Sequence, residues 1–279
     1  MIDFTPSSIA LQIGPLAIHW YGIAYAIGLA GAYWVIEREA RRRGESTRYL
    51  ANGMIVVAIA ALIGGRAYHV FDQWALYKDD LTKIFLPPYS GLGVYGGIAA
   101  GLLATILYTR YRKLPFWTWA DIIAPGLLVM QGIARWGNFA NQELYGPPTT
   151  APWGIAIQCQ DRVAAYACPA GSDPLATLGQ HFQPLFLYES ISGLVGAALL
   201  LWLARRYGTR LRPGDIALIF FMWYATTRFV LEPLRVDNWT FFGVPTAMIV
   251  STLVIVAAGV VLVVRHRSSP GRPAPLPAS

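Results

Sequence analysis

The stretch LANGMIVVAIAALIGGRAYHVF, residues 50–71, decides the fold class of this chain. Its first sixteen residues carry no charged side chain. An α-helix rises about 1.5 Å per residue, so about 20 predominantly apolar residues cross the roughly 30 Å hydrocarbon layer of a bilayer. The stretch therefore predicts a transmembrane helix. Its Gly64-Gly65 pair predicts close packing against a second helix, since small residues let helix backbones approach each other in lipid.

Six further stretches have similar length and apolarity, so seven transmembrane helices are predicted. The predicted spans are 16–36, 50–71, 91–109, 117–134, 184–204, 215–231 and 243–264. Composition agrees, because 55% of the residues are hydrophobic and only 13% are charged. A soluble domain carries about 25% charged residues, which it needs to cover a water-facing surface. We predict an all-α polytopic membrane protein.

The basic residues predict the orientation of these helices. Fifteen of the 22 lysines and arginines fall in four segments that a seven-helix arrangement places on one side of the membrane. They are Arg38, Arg41, Arg42, Arg43, Arg48, Arg110, Arg112, Lys113, Arg205, Arg206, Arg210, Arg212, Arg265, Arg267 and Arg272. The positive-inside rule makes that side cytoplasmic, with the N-terminus outside and the C-terminus cytoplasmic. The net charge of +7 is therefore a topology signal, and no nucleic-acid partner is expected.

The predicted domain organisation is one membrane domain, 1–267, with extracytoplasmic insertions at about 72–90 and 135–183. The second insertion is rich in Pro, Gly and polar residues and lies between helices 4 and 5, which predicts a cap or head over a site. Its cysteines, Cys159 and Cys168, form either a disulfide or two free thiols. Neither these cysteines nor the histidines show metal-ligand spacing, and no metal is expected. The Pro-rich segment 268–279 predicts a disordered cytoplasmic tail.

Several charged residues lie within or at the outer ends of the predicted helices. They are Arg66, Asp121, Arg135, Glu143, Glu189, Arg228, Glu232 and Arg235. An arginine at the centre of a bilayer costs about 2.5–3.5 kcal/mol even on insertion scales, so it persists when it pairs, lines a watery cavity or binds a charged ligand. The guanidinium fork suits phosphate oxygens, and all these charges are predicted near the outer leaflet. They indicate a phospholipid headgroup site; the alternative is that they neutralise one another and fix helix packing.

Arg228, Glu232 and Arg235 have i, i+4, i+7 spacing, which predicts one face of a helix. Pro233 interrupts that helix and frees a backbone carbonyl nearby. The run that follows predicted helix 4 adds neutral donors, Asn138 and Asn141. From these residues alone, the prediction is a phospholipid-handling membrane protein, without a reaction.

The run QGIARWGNFANQELYG, residues 131–146, resembles the signature of the prolipoprotein diacylglyceryl transferases. The matching positions are Arg135, Gly137, Asn138, Phe139, Asn141, Glu143 and Gly146. Other segments are similar to the family in its own order: HWYGIAY at 19–25, GGR at 64–66, DIIAP at 121–125, LYES at 187–190 and the R-x-x-x-E-x-x-R pattern at 228–235. The resemblance covers roughly residues 10–265.

The resemblance implies a transferase of the bacterial plasma membrane whose active site faces the outer leaflet. Such an enzyme transfers the diacylglyceryl group of phosphatidylglycerol to the lipobox cysteine thiol of a prolipoprotein, forms a thioether and releases glycerol phosphate. The expected partners are phosphatidylglycerol, prolipoprotein signal peptides with a lipobox cysteine, and membrane lipid. No cofactor is expected.

The resemblance also implies site residues. The expected catalytic residues are Arg135, Arg228, Tyr95 and Glu189. The two arginines would bind phosphate as negative charge develops on the leaving oxygen. Glu189 would position the arginines or accept the thiol proton. The expected substrate-binding residues are Tyr21, Arg66, Gly96, Gly97, Asp121, Asn138, Asn141, Glu143, Gly146, Glu232 and Arg235.

Two positions depart from the family pattern. Tyr95-Gly96-Gly97 stands where many members have His-Gly-Gly, and Gln183-Pro184 stands where many members have His-Pro. Both changes remove an imidazole, the usual general base near neutral pH.

Two other functions remain open. A phospholipid transporter or flippase explains the arginines equally well, but it predicts internal repeats with interrupted helices, and the sequence shows no evident self-similarity. A non-catalytic relative that binds lipid is the second alternative, because of the two absent histidines. A serine hydrolase is disfavoured, since the chain has no G-x-S-x-G motif.

Overall fold

A computed structural model describes residues 1–14, 16–84, 91, 93–236 and 238–267 of the chain. Within them the chain forms seven α-helices: α1 Trp20–Arg42, α2 Leu50–Asp72, α3 Val94–Tyr111, α4 Phe116–Ala140, α5 Leu185–Arg206, α6 Asp215–Leu231 and α7 Thr246–Arg267. Three short antiparallel strand pairs accompany them: β1 Ile9–Ile13 with β2 Leu16–His19, β3 Ile155–Ala156 with β4 His181–Phe182, and β5 Thr240–Phe241 with β6 Val244–Pro245. The all-helical class predicted from the sequence is confirmed.

Four of these helices are long and apolar enough to cross a membrane: α2 together with the 3₁₀ turn before it, α4, α5 and α7. This selection covers only the described part of the chain. The number of seven spans and the orientation remain predictions. The predicted tail, 268–279, and residues 85–90 of the first predicted insertion lie outside the described residues.

The first helix differs from its predicted bounds at both ends. It begins at Trp20 rather than at residue 16, because residues 16–19 pair with β1 as a hairpin. It continues to Arg42, beyond the apolar stretch. Carboxylates one turn earlier support this extension: Arg42 donates to Glu39 at 2.6 and 2.8 Å, and Arg41 donates to Glu37 at 2.8 Å.

Helix α4 corrects the predicted start of the large insertion. The insertion was expected to begin at Arg135, but the helix continues to Ala140, so Arg135 and Asn138 lie on its last turns. The helix passes through Gly137, which packs closely against α1. A Cβ at Gly137 would lie only 3.0 Å from the Cα atom of Tyr21 on α1.

The described chain contains two compact units. The first comprises Met1–Trp34 and Ile123–Ser279, and the second comprises Val35–Ile122. In the second unit α2 packs on α3, with Gly64 and Gly96 facing each other. A Cβ at Gly64 would lie 2.6 Å from the carbonyl oxygen of Gly96, and a Cβ at Gly96 would collide with the carbonyl oxygen of Gly64. The close helix packing predicted from the glycine pair is therefore present.

In the first unit α5 packs between α4 and α6. Its buried core is formed by Ala124, Leu128, Ala197, Leu200, Ala204 and Ile216. Glycines again allow the approach, since a Cβ at Gly193 would lie 2.9 Å from the carbonyl oxygen of Leu128 and 3.1 Å from the backbone nitrogen of Gly132. The facing ends of α4 and α5 are thereby held at short distance.

The segment between α4 and α5 forms a small head, whose buried core consists of Tyr145, Ile155, Ile157 and Phe182 together with Phe186 from the first turn of α5. Arg162 fastens this head, because its guanidinium donates to the Ile157 carbonyl at 3.1 Å, to the Gln180 side chain at 2.7 Å and to the Thr177 carbonyl. Cys159 and Cys168 form a disulfide, which decides between the two states that the sequence left open.

We expect Gly64→Ala to destabilise the protein by about 1–3 kcal/mol, because the added Cβ overpacks the contact between α2 and α3. Gly259→Ala is the matched control, since a Cβ there meets only the Met222 side chain at 4.0 Å. Thermal unfolding in detergent measures both variants. Equal melting temperatures for the two variants would contradict the packing described for Gly64.

We expect both cysteines of the purified protein to resist alkylation until a reductant is added, after which mass spectrometry should find two labels. Replacing both cysteines with serine should lower the stability of the head by about 2–3 kcal/mol, the chain-entropy value for so short a loop. Limited proteolysis measures this as faster cleavage between residues 159 and 180. Alkylation of either thiol without reduction would refute the disulfide.

Candidate functional site

Three arginines and two glutamates of the first unit form two groups of ion pairs, and the backbone N–H of Arg235 donates to the carbonyl of Glu232 at 3.0 Å between the groups. We call these residues the arginine cluster: Arg135, Arg228, Arg235, Glu189 and Glu232. Glu189, in the first turns of α5, binds two of the arginines. Its Oε2 lies 2.6 Å from Nη2 of Arg135 on α4, and its Oε1 lies 2.8 Å from Nη2 of Arg235. One carboxylate therefore joins α4, α5 and the segment after α6.

The second glutamate pairs with an arginine on its own segment. Glu232 Oε2 lies 2.9 Å from Nη2 of Arg228, at an angle too poor for a hydrogen bond. The helix α6 ends at Leu231 and Glu232–Leu234 form a 3₁₀ turn that contains Pro233, so Arg235 is extended. The prediction that Arg228, Glu232 and Arg235 share one helix face is therefore wrong for Arg235, because the proline ends the helix and the chain turns toward Glu189.

Burial differs between the two kinds of charge in the cluster. The side chains of Glu189 and Glu232 are 5% and 2% exposed, whereas those of Arg135, Arg228 and Arg235 are 24%, 26% and 27% exposed. Each arginine also has a buried N–H without an acceptor among the described residues: Nε of Arg135, Nη1 of Arg228 and Nε of Arg235. Among these five residues three cations face two anions, and Glu143 is a third carboxylate close to Arg135. Such a set of partly exposed guanidinium groups can accept an anionic ligand.

The predicted amide donors lie next to the cluster. Arg135 Nη1 donates to Asn138 Oδ1 at 3.4 Å. Asn138 and Asn141 each donate to the carboxylate of Glu143, both at 3.2 Å. Glu143 thus holds both amides in place, and these three residues join the cluster through Arg135.

Gly146 and Tyr21 lie beside these residues in a packing role. A Cβ at Gly146 would lie 3.0 Å from the carbonyl oxygen of Leu234, so glycine allows the segment before Arg235 to approach. Tyr21 stacks on Tyr25 with ring centroids 4.7 Å apart, and its hydroxyl donates to the Tyr25 hydroxyl at 3.1 Å.

The other predicted site residues, Arg66, Tyr95, Gly96, Gly97 and Asp121, belong to the second unit. Arg66 donates to three backbone carbonyls, those of Lys83, Ile84 and Gly91, at 2.6, 3.1 and 3.3 Å. Its guanidinium carbon also lies 5.1 Å from the centre of the Tyr77 ring. In the structure Arg66 therefore organises the chain that follows α2.

Tyr95 lies exposed in the first turn of α3, and its ring centre is 6.0 Å from that of Tyr68. Gly96 contacts Gly64 across the α2–α3 crossing, and a Cβ at Gly97 would lie 3.3 Å from the carbonyl oxygen of Ala61. The structure thus gives both glycines a packing role.

Asp121 is buried near the start of α4, and its Oδ2 lies 3.7 Å from Nη1 of Arg43. It pairs with an arginine of the segment after α1, which is the simplest way to keep a buried carboxylate ionised.

Two supporting contacts could not be found from the sequence. The buried hydroxyl of Ser190 donates to the Gly132 carbonyl at 2.7 Å and accepts from Trp136 Nε1 at 3.2 Å, which fastens α5 to α4 beside Glu189 and Arg135. Ser190 stands in the LYES segment, but its partners are more than fifty positions away, so spacing carries no signal for them.

The second supporting contact involves Gln183, which stands where the resemblance led us to expect a histidine. Its side chain accepts from Tyr188 Oη at 2.6 Å and donates to Thr149 Oγ1 at 3.0 Å. Trp153 Nε1 donates to the same Tyr188 hydroxyl at 2.7 Å. Gln183 therefore links the head to the first turn of α5 through hydrogen bonds, without an ionisable group.

We expect Glu189→Ala to destabilise the protein by about 3–5 kcal/mol, because it leaves two partly buried arginines without their carboxylate. Glu37→Ala removes the partner of the exposed Arg41 and should cost less than about 1 kcal/mol. Thermal unfolding of both variants measures the difference. A Glu189→Ala variant as stable as Glu37→Ala would show that Glu189 does not hold the cluster together.

Comparison with known proteins gives a family for this arrangement. The sequence profile of the family described as prolipoprotein diacylglyceryl transferase matches residues 8–265. Similar relatives are the proteins named phosphatidylglycerol–prolipoprotein diacylglyceryl transferase from Chloroflexus aggregans, 37% identical over 91% of this chain and 87% of the relative, and from Enterococcus faecalis, 35% identical over 94% and 91%. A third, from Bacillus licheniformis, is 33% identical over 92% of both chains. The chain therefore belongs to the prolipoprotein diacylglyceryl transferase family.

Proposed function

We propose that this protein transfers the diacylglyceryl group of phosphatidylglycerol to the lipobox cysteine of a prolipoprotein. The names of its relatives contain this donor and this acceptor protein. The observation that carries the proposal to this chain is the arginine cluster, in which Arg135, Arg228 and Arg235 surround two buried carboxylates and keep buried N–H donors free of a described acceptor.

Phosphate binding follows from the chemistry of the cluster. Guanidinium groups offer planar pairs of donors that match the spacing of phosphate oxygens. Glu189 and Glu232 stabilise the free cluster by pairing with the arginines, and the buried N–H donors that lack a described acceptor favour a bound phosphodiester. Asn138 and Asn141 each donate one amide N–H to Glu143, and the second N–H of each amide group is available to orient the headgroup.

The reaction is a substitution at the glycerol carbon that carries the phosphate. The thiolate sulfur of the lipobox cysteine attacks this carbon, a C–S bond forms, and the C–O bond breaks with its electron pair on the phosphate oxygen. Glycerol phosphate leaves. Negative charge that develops on the leaving oxygen is stabilised by Arg135 and Arg228, and the loss of one donor of this kind costs about 10²–10³ in rate.

Proton transfer from the thiol needs little help, since a free cysteine is already a few per cent thiolate at pH 7. Glu189 serves as a positioning residue, because both of its oxygens are engaged by arginines and protonation would weaken two ion pairs at once. Tyr95 stands where many members of the family have a histidine, and it is proposed as a catalytic residue from that position in the family pattern alone. Tyr95→Phe removes its hydroxyl and should lower the rate, whereas Tyr95→His should keep it.

The proposed setting is the bacterial plasma membrane, with seven spans, the N-terminus outside and the cluster at the outer leaflet. The observed helix bounds match the seven predicted stretches within a few residues, apart from the ends of α1 and α4. The basic segments alternate between them as the positive-inside rule requires. The disulfide in the head suits an oxidising compartment. We assign residues 1–267 to one transferase domain.

The decisive experiment reconstitutes the protein with phosphatidylglycerol and a lipobox peptide and measures the peptide mass. One diacylglyceryl group should appear on the cysteine peptide and none on a Cys→Ser peptide. Arg228→Ala should reduce the rate about 10²–10³-fold. The matched control is Arg210→Ala, which removes an exposed arginine at the other end of the fold and should leave the rate unchanged.

Two outcomes would contradict the proposal. A transfer rate of Arg228→Ala close to that of the wild type would show that Arg228 does not stabilise the leaving phosphate. Absence of transfer by the folded wild-type protein, with phosphatidylglycerol still bound, would favour a lipid-binding or transport protein, because the same cluster would then hold a headgroup without reacting.

A further inference from the structure

The end of α5 opposite to Glu189 presents a second basic surface. A cavity of about 560 Å³ lies there, lined by Ala198, Leu201, Trp202, Arg205 and Arg206. These positions are spaced i, i+3, i+4, i+7 and i+8, so they form one face of the helix. The face changes from apolar to basic toward the end of α5. A site for an anionic amphiphile needs this arrangement, with an apolar part and a basic part.

Among the described residues, no carboxylate lies within ion-pair distance of the two arginines of this face. Asp215 is the only acidic residue between positions 190 and 231, and it is fully buried. Its carboxylate is engaged elsewhere, 3.2 Å from Arg265 Nη1, 2.7 Å from His266 Nε2 and 2.8 Å from the backbone nitrogen of Arg212. Within the described residues, neither Arg205 nor Arg206 forms an ion pair.

Aromatic rings complete the surface. The exposed Trp202 packs edge-on against Tyr207 with centroids 5.7 Å apart, and the guanidinium carbon of Arg206 lies 5.4 Å from the centre of the Tyr207 ring. Tryptophan and tyrosine concentrate at the level of the lipid headgroups, because one part of each ring system is apolar and the other forms hydrogen bonds. Trp202 therefore marks the boundary between the acyl-chain and headgroup layers on this face.

We propose that this face binds an anionic phospholipid in the leaflet opposite to the arginine cluster. Arg205 and Arg206 bind the phosphate, Trp202 lies at the glycerol level, and the acyl chains run along Leu201 and Ala198. Glu189 and Arg205 are sixteen residues apart on one helix, which is about 24 Å along its axis. The surface is thus separate from the transfer site, and in the proposed orientation it faces the cytoplasmic leaflet.

The shape of the cavity favours a lipid over a free anion. Three of the five lining side chains are apolar, and they extend from the arginines toward the middle of a helix that is long and apolar enough to cross the membrane. A free phosphate would contact only the two arginines and would leave this apolar surface unused.

The test uses the full chain in nanodiscs of phosphatidylcholine with a small fraction of phosphatidylserine, an anionic lipid that is not the proposed substrate. Native mass spectrometry counts the bound phosphatidylserine. The double variant Arg205→Gln/Arg206→Gln should reduce its occupancy at least tenfold. The matched variant Arg210→Gln/Arg267→Gln removes the same charge outside the cavity lining and should change occupancy less than twofold.

Further variants and a competitor distinguish a lipid site from a free-anion site and from diffuse charge attraction. Trp202→Leu keeps every charge and should still weaken binding several-fold, and excess inorganic phosphate should not displace the lipid. Transfer to the lipobox peptide should be unchanged in all these variants, so failure of the proposed enzyme function would not affect this result.

Three outcomes would each overturn the proposal. Equal losses of bound phosphatidylserine in the two double variants would show that diffuse electrostatic attraction, and not this face, holds the lipid. Displacement of phosphatidylserine by inorganic phosphate would make it a free-anion site. Retention of phosphatidylcholine to the same extent as phosphatidylserine would show that the face does not select anionic lipids.

Discussion

The carboxylate of Glu189 holds arginines from two other segments, and the geometry of the site depends on it. Two guanidinium groups held near one carboxylate repel each other, and this repulsion is stronger where water is scarce. Glu189 offsets it by giving one oxygen to Arg135 and the other to Arg235, and Glu232 pairs with Arg228. Each of the three arginines still keeps a buried N–H without an acceptor among the described residues. In the proposed function the same residues serve both structural pairing and phosphate binding.

Glycine and serine make this pairing geometrically accessible. Glu189 reaches Arg135 because α4 and α5 approach closely at Gly132 and Gly193, and because Ser190 fixes their relative position through hydrogen bonds. In a lipid environment no hydrophobic driving force pushes helices together, so close backbone contact and interhelical hydrogen bonds supply the packing energy. The glycine contact between α2 and α3 follows the same physics in the second unit.

The two departures from the family pattern fall in different surroundings. Gln183 links Tyr188 and Thr149 by hydrogen bonds that need no proton exchange, so the position acts through geometry in this chain. Tyr95 is exposed at the beginning of α3 and contacts Tyr68. With both imidazoles absent, the arginine cluster carries more of the proposed catalysis, because electrostatic stabilisation of a leaving phosphate requires no base.

The sequence by itself determined the helical class, the approximate bounds of the helices and the identity of the charged residues, because hydrophobic length and uncompensated charge are local properties of the chain. It also brought Arg135, Asn138, Asn141 and Glu143 together, since they are close in sequence. Only the tertiary structure decided that Glu189 joins Arg135 to Arg235, that Arg66 donates to the Lys83 carbonyl, that Asp121 lies near Arg43, and that Gly96 packs against Gly64. These pairings link positions far apart in the chain, and their distances depend on how helices pack and where Pro233 ends α6, which no periodicity encodes.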